Sequence, residues 1–278
     1  MTVLFFTLSL LAASVIAGAV GVLVGMGGGI ILVPMLILLF HVNPHYAVGA
    51  SLISVIATSS GGTAIYIREG YTNLRIAMLL VVGSCAGGVL GAEVSGRLAP
   101  GAITGVFGVV LLFCGILSWR RKEEIEQTAP SDRLAVRLGL ESSYPAIGGW
   151  RSYRVYHVAG GFLTMVLAGA LSGLLGIGAG AVNVLSMDQV MRLPYKVSST
   201  TSNFMIGITA AASAGVYFSK GFIDPGLTMP VMLGVFLGAV VGARYVSVAK
   251  SRSLRLFFSV LVSLMAIQMI YSGVTGRR

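Results

Sequence analysis

The sequence predicts an all-α polytopic membrane protein built from two inverted repeats of about five helical segments, each repeat opened by a broken or re-entrant helix pair. Three observations carry that prediction. The 278 residues are 56% hydrophobic and only 10% charged, with a mean hydropathy of +0.91, whereas a soluble domain is near a quarter charged. Apolar segments recur along the whole chain, separated by short polar breaks. Glycines recur in register between its two halves. A span needs about 20 apolar residues, so the chain has room for roughly eight to ten helices and not for a large soluble catalytic domain.

Taken in order, the apolar segments are 3–25, 28–40, 46–67, 74–98 and 101–119, then a polar stretch 120–156, then 157–176, 179–191, 195–219, 226–249 and 254–275. Residues 1–119 form a first repeat, 120–156 a linker and 157–278 a second repeat. The opening segment is apolar and ends in small residues like a signal peptide, but its start carries no Lys or Arg. It is read as a helix of the mature fold. The internal repeat supports this: Gly18, Gly25, Gly27, Gly29, Gly70, Gly83, Gly87 and Gly91 each have a glycine 151 residues later, at 169, 176, 178, 180, 221, 234, 238 and 242.

Segments 28–40 and 179–191 hold 13 residues each, about 20 Å of helix against a hydrocarbon core of about 30 Å. Each follows a glycine break, Gly25-Met26-Gly27-Gly28-Gly29 and Gly176-Ile177-Gly178-Ala179-Gly180. Short, glycine-interrupted segments at matching places in two halves point to a transporter binding site. Re-entrant hairpin or two crossings, the chain returns to the side it left.

Lys and Arg test that parity. With an odd number of topological units per half, fifteen basic residues fall on one face: Arg68, Arg75, seven in the linker (Arg120, Arg121, Lys122, Arg133, Arg137, Arg151, Arg154), Arg192, Lys196, Arg244, Lys250, Arg252 and Arg255. Only Arg97, Lys220, Arg277 and Arg278 fall on the other. Counting each broken pair as one crossing gives twelve against seven. The larger bias makes the linker cytoplasmic and both termini external. The net charge of +10 is thus a topological signal, and nucleic acid is not an expected partner. The linker reads as a solvated connection with a short surface helix at 131–140.

The glycine clusters are not dinucleotide fingerprints, which need a preceding strand and a soluble βαβ unit. A break instead frees backbone N–H groups at the start of a half-helix, where about half a positive charge favours an anion. Close packing is the alternative use of the same glycines. Ser51 aligns with Thr200 and Ser54 with Asn203 at a spacing of 149, as if one connection were two residues shorter, and Ser51, Ser54 and Thr58 share a helical face. With Thr201, these hydroxyls and the amide either line a binding site or join helices.

The remaining polar residues read as structural, with proton coupling through Glu93 or Asp188 as the alternative. Glu93 lies four residues before Arg97, a favourable helix-surface pair; Arg244 can snorkel; Asp188 lies four before Arg192. His41 and His45 flank Pro44 with no acid nearby, poor geometry for a metal. Cys85 and Cys114 fall inside apolar segments as packed thiols. No metal and no cofactor is expected, and with no nucleophile–base pair at span depth, no catalytic site.

Gly25-Met26-Gly27-Gly28-Gly29 with Pro34, Ala47-Val48-Gly49-Ala50-Ser51, the glycine-rich stretches Gly83–Gly91 and Gly234–Gly242, and Gly176-Ile177-Gly178-Ala179-Gly180 with Thr200-Thr201-Ser202-Asn203 together resemble the TauE/SafE family of sulfite exporters, over nearly the whole chain. The resemblance implies a multi-pass permease of the prokaryotic inner membrane that moves sulfite or another small sulfur-containing anion, of sulfonate or thiosulfate type, mostly outward. The expected partners are that anion and the lipid bilayer, with further copies of the chain as an open option; the alternatives are a transporter of another small anion or a membrane subunit that only assembles partners. The expected substrate-binding residues are Gly25, Gly27, Gly28, Gly29, Ser51, Ser54, Gly176, Gly178, Gly180, Thr200, Thr201 and Asn203. Two departures distinguish the halves: Ala179 stands opposite Gly28, and Leu185 opposite Pro34.

Overall fold

A computed structural model describes residues 3–24, 28–68, 70–119, 132–146, 149–178, 180–246 and 263–272. The first half runs α1 (Val3–Val24), α2 (Gly29–Leu38), α3 (Pro44–Arg68), α4 (Leu74–Ser95) and α5 (Pro100–Trp119). The linker contributes α6 (Arg133–Arg137) and a hairpin of β1 (Ser142–Ala146) and β2 (Gly149–Tyr153). The second half runs α7 (Val158–Leu175), α8 (Gly180–Leu185), α9 (Tyr195–Ser219), α10 (Pro225–Val246) and α11 (Ser263–Ser272), with α8 continued by a π-helical turn at Ser186–Val190.

The breaks follow from local chemistry. Asn73 caps α4 by accepting hydrogen bonds from the Arg75 and Ile76 N–H groups. Pro44 and Pro225 occupy first helical positions, where the missing N–H costs nothing. Leu74–Ser95 and Val158–Leu175 are long and apolar enough to cross a bilayer, and α2 is as short as expected, at 10 residues.

The central helices keep the 151-residue offset: α3 and α9 start at 44 and 195 (195 − 44 = 151), and α4 and α10 at 74 and 225 (225 − 74 = 151). Backbone turns repeat at the same spacing. Gly70 and Gly221 have φ of 76° and 71°, and His41 and Arg192 have φ of 53° and 54°. The connection is therefore not two residues shorter in the second half. Ser51 is equivalent to Ser202 rather than Thr200, and Thr200 to Gly49.

Packing also exchanges partners between the halves. α1 packs on α10 and α7 on α4, while α3 packs on α9. A Cβ on Gly18 would strike the Val235 backbone, and one on Gly169 the Ser84 backbone; Ser84 is the residue equivalent to Val235. Thus several glycines of the repeat serve close helix approach, the alternative use weighed for them. One apolar core joins α1, α2, α3, α5, α7, α9 and α10, and another joins α4, α7, α9, the π turn and the linker.

The linker departs from the expected solvated connection. Its helix is shorter than 131–140, and β1 pairs antiparallel with β2, so the described residues are mostly but not wholly helical. Ala135, Leu140, Tyr144, Tyr153 and Val155 are buried against the second core. Asn73 is the tie: its amide donates to the Leu140 carbonyl at 2.9 Å and the Tyr153 hydroxyl at 2.7 Å, and its backbone N–H donates to Thr201 Oγ1. Asn73→Ala is expected to lower stability by about 2–4 kcal/mol, through the lost cap and the unpaired groups left behind, as read by thermal melting in detergent. Burial pushes the Tyr153 phenol above its usual range, opposed in part by hydrogen bonds with Asn73 and Ser142. A raised acid pKa means that this contribution to stability is whole below the unfolded tyrosine value of about 10 and is lost as pH rises through the folded value. Linker docking should loosen first on the alkaline side, measurable as hydrogen exchange over 140–153.

Candidate functional site

The two glycine breaks meet. α7 ends at Gly176 with φ of 68°, Gly178 has φ of 73°, and α8 begins at Gly180. Both angles lie in the left-handed region that glycine alone enters readily. The start of α2 abuts this turn: a Cβ on Gly29 would lie 2.8 Å from the Gly176 carbonyl oxygen and 2.9 Å from Ser51 Oγ. Ser51, fully buried on α3, donates to that carbonyl at 2.7 Å. Gly178 faces Val55 of α3 and Ile206 of α9, and Ser202 of α9 donates to the Gly180 carbonyl at 3.3 Å.

Gly28 caps α2, its carbonyl accepting from Ile31 and Leu32. The N–H groups ahead of them, at the very start of the helix, have no acceptor among the described residues. The junction therefore offers backbone donors beside a Ser51 hydroxyl engaged with the Gly176 carbonyl, enclosed by Val55 and Ile206. None of its side chains is ionisable.

Of the expected residues, Gly28, Gly29, Ser51, Gly176, Gly178 and Gly180 lie at or beside this junction. Gly25 and Gly27 lie outside the described residues. Ser54 donates back to the Ala50 carbonyl of its own helix, so its hydroxyl is engaged within α3. Thr200 donates to the Tyr71 carbonyl and Thr201 accepts from Asn73. Both hydroxyls tie α9 to the α3–α4 turn rather than to the breaks, because α9 enters the fold beside that turn. Asn203 is half-buried and makes no hydrogen bond among the described residues.

Two polar residues at the second break escaped the sequence reading. Ser202 belongs to the Thr200–Asn203 motif but not to the expected binding residues, because the 149-residue spacing matches Ser51 to Thr200 instead. Asn183 lies within α8 with no exposure, both amide atoms lacking a partner among the described residues. Its signal was an amide inside an otherwise apolar short segment, opposite Leu32 at the 151-residue offset.

Elsewhere the polar side chains are structural. Glu93 pairs at 2.7 Å with Lys220, the residue that ends α9, not with Arg97 as its spacing suggested; the pair is partly exposed, where screening by water leaves it little weight in stability. Both ring nitrogens of His45 face oxygens, of Asn43 and of the Ser95 carbonyl, and the ring stacks on Phe222. His41 lines an open cavity of about 640 Å³ with Asn43, Thr104 and Gln268. Among the described residues no group of His, Cys, Asp or Glu could hold a metal ion, and Cys85 is a half-buried free thiol.

The sulfite exporter TauE/SafE family model matches residues 10–269. The chain is 26% identical over 272 residues to the probable membrane transporter protein YunE of Bacillus subtilis, covering 95% of this chain and 97% of the relative. It is 27% identical over 230 residues to the probable membrane transporter protein YdhB of the same species, covering 80% and 83%. A probable membrane transporter protein of Xylella fastidiosa is 23% identical over 274 residues, covering 98% and 97%. No solved structure matches the chain. A duplicated set of apolar helices, two glycine breaks brought into contact, and a family match spanning nearly every segment lead to one assignment: the chain belongs to the sulfite exporter TauE/SafE family.

Proposed function

We propose that the chain is a secondary transporter of the prokaryotic inner membrane, exporting sulfite or a related small sulfur-containing anion by alternating access between two inverted repeats. The observation that carries the reading is the meeting of Gly29, Ser51 and Gly176, where both broken segments open onto one point. A site of dipoles and a hydroxyl, without a fixed positive charge, suits a small monoanion or compact dianion rather than a large polyanion. The partner exchange α1–α10 against α7–α4 supports a repeat of opposite orientation, in which either half can rock against the other. An inside-negative potential then favours efflux by about 2.3 kcal/mol per charge per 100 mV.

Proteoliposomes loaded with sulfite are expected to show counterflow and to release sulfite faster under an imposed inside-negative potential. Counterflow of phosphate with none of sulfite would leave a generic anion carrier. The same reading places residues 120–156 in the cytoplasm and both termini outside. A single new thiol at Ser143 should resist an impermeant reagent in intact cells and react after permeabilisation; labelling in intact cells would refute the inverted arrangement.

A further inference from the structure

Asn183 is the one buried side chain among the described residues with two polar atoms lacking a partner. It is fully buried within α8, and neither Nδ2 nor Oδ1 has a partner there. Several buried hydroxyls, such as those of Ser14 and Ser172, are also unpartnered, but a hydroxyl is a single small group that can turn to a carbonyl of its own helix. A carboxamide carries two donors and an acceptor, and each group left unpaired in a buried setting is costly. Packing does not demand it. At the equivalent position of the first half, 183 − 151 = 32, stands Leu32, equally buried and wholly apolar.

Its place on the segment is specific. Gly180, three residues before Asn183, accepts the Ser202 hydroxyl of α9, and Ser186, three after, contacts the Thr164 hydroxyl of α7. Residues three apart share a helical face. Asn183 thus lies between residues that touch α9 and α7, one turn from Gly180 and the break where Gly29 and Ser51 gather. A buried donor and acceptor side by side, both unfilled, call for a ligand that accepts at one oxygen and donates at another.

We propose that Asn183 is a substrate contact that takes the anion in its protonated form, Nδ2 donating to an anionic oxygen and Oδ1 accepting the acid proton of hydrogen sulfite. This rests on the transport reading above and sharpens it. It makes the two breaks chemically unequal, with recognition concentrated on the second. It also selects an acidic oxyanion over an alkyl sulfonate, which has no acid proton to give. Since the hydrogen sulfite share falls as pH rises through the second ionisation of sulfurous acid, near neutrality, KM for total sulfite should rise with pH while KM for hydrogen sulfite stays constant.

The test is Asn183→Leu, the residue of the other half, in purified full-length protein. Expected is a KM for sulfite raised by at least about tenfold, equivalent to losing one to two buried hydrogen bonds. Sulfite should no longer raise the melting temperature, while the melting temperature without ligand is unchanged or higher. In the wild type, methanesulfonate should compete with labelled sulfite at least about tenfold more weakly than unlabelled sulfite does at the same pH. A wild-type KM in the variant, a lowered melting temperature without ligand, or equal competition by methanesulfonate would each overturn the proposal while sulfite counterflow in the wild type left the transport reading standing. Absence of sulfite flux in the wild type itself would remove both.

Discussion

Gly29→Val is expected to reduce sulfite counterflow to the level of empty liposomes while the protein still inserts in the membrane. A Cβ at this position falls 2.8 Å from the Gly176 carbonyl oxygen and 2.9 Å from Ser51 Oγ, so the valine displaces the hydroxyl from the carbonyl it satisfies and pushes the two breaks apart. Gly178→Val acts from the other side: at φ of 73° a β-branched residue is strained, and its Cβ would lie 2.7 Å from Ile206 Cγ2. Ser51→Ala separates bulk from chemistry. It adds no atoms and leaves the Gly176 carbonyl without its partner, which costs about 1–3 kcal/mol and should slow transport by tenfold or so. Gly105→Ala is the control, since a Cβ there meets nothing within 4 Å. Normal counterflow by Gly29→Val, with size-exclusion profiles matching wild type, would show that the junction only packs helices.

Much of this architecture was legible in the sequence because apolar length and glycine spacing are long-range signals that survive without knowledge of contacts. The 151-residue offset seen in eight glycine pairs recurs in the starts of α3 and α9 and of α4 and α10. The broken segments were legible by length alone. What misled was side-chain likeness at short range. The dense run Ser198–Asn203 offers a plausible match to Ser51 at several spacings, and only the helix boundaries choose Ser202. The hairpin was hidden in a charged linker, although Tyr144, Trp150 and Tyr153 around a Gly-Gly pair carry its signal. Glu93 was assigned to Arg97 because sequence exposes neighbours four residues apart and not a lysine 127 residues away. Asn183 went unremarked for a related reason: one amide in an apolar run shows neither its burial nor its lack of partners.

Gly87→Val and Gly238→Val are expected to destabilise the folded protein severely and to the same degree, although the two residues lie in different halves and on different helices. A Cβ on Gly87 would overlap the Val166 carbonyl of α7, and one on Gly238 the Val15 carbonyl of α1; Val15 and Val166 are themselves 151 residues apart. Overpacking usually costs about 1–3 kcal/mol because side chains can give way, and a backbone carbonyl inside a packed helix cannot, so the cost here should reach or exceed the upper end. With α1–α10 and α4–α7 as the closest helix pairs of the two halves, separating either pair should also separate the α3 and α9 surfaces that hold the junction. Fluorescent fusions of each variant, followed by size-exclusion chromatography and melting in detergent, should show aggregation or a large and similar loss for both. Gly215→Ala, where a Cβ meets nothing within 4 Å, should instead be neutral or gain about 0.5–1 kcal/mol from helix propensity. If Gly87→Val unfolded the protein and Gly238→Val did not, the two helix pairs would not be energetically equivalent, and the rocking of matched halves proposed for transport would lose its mechanical basis.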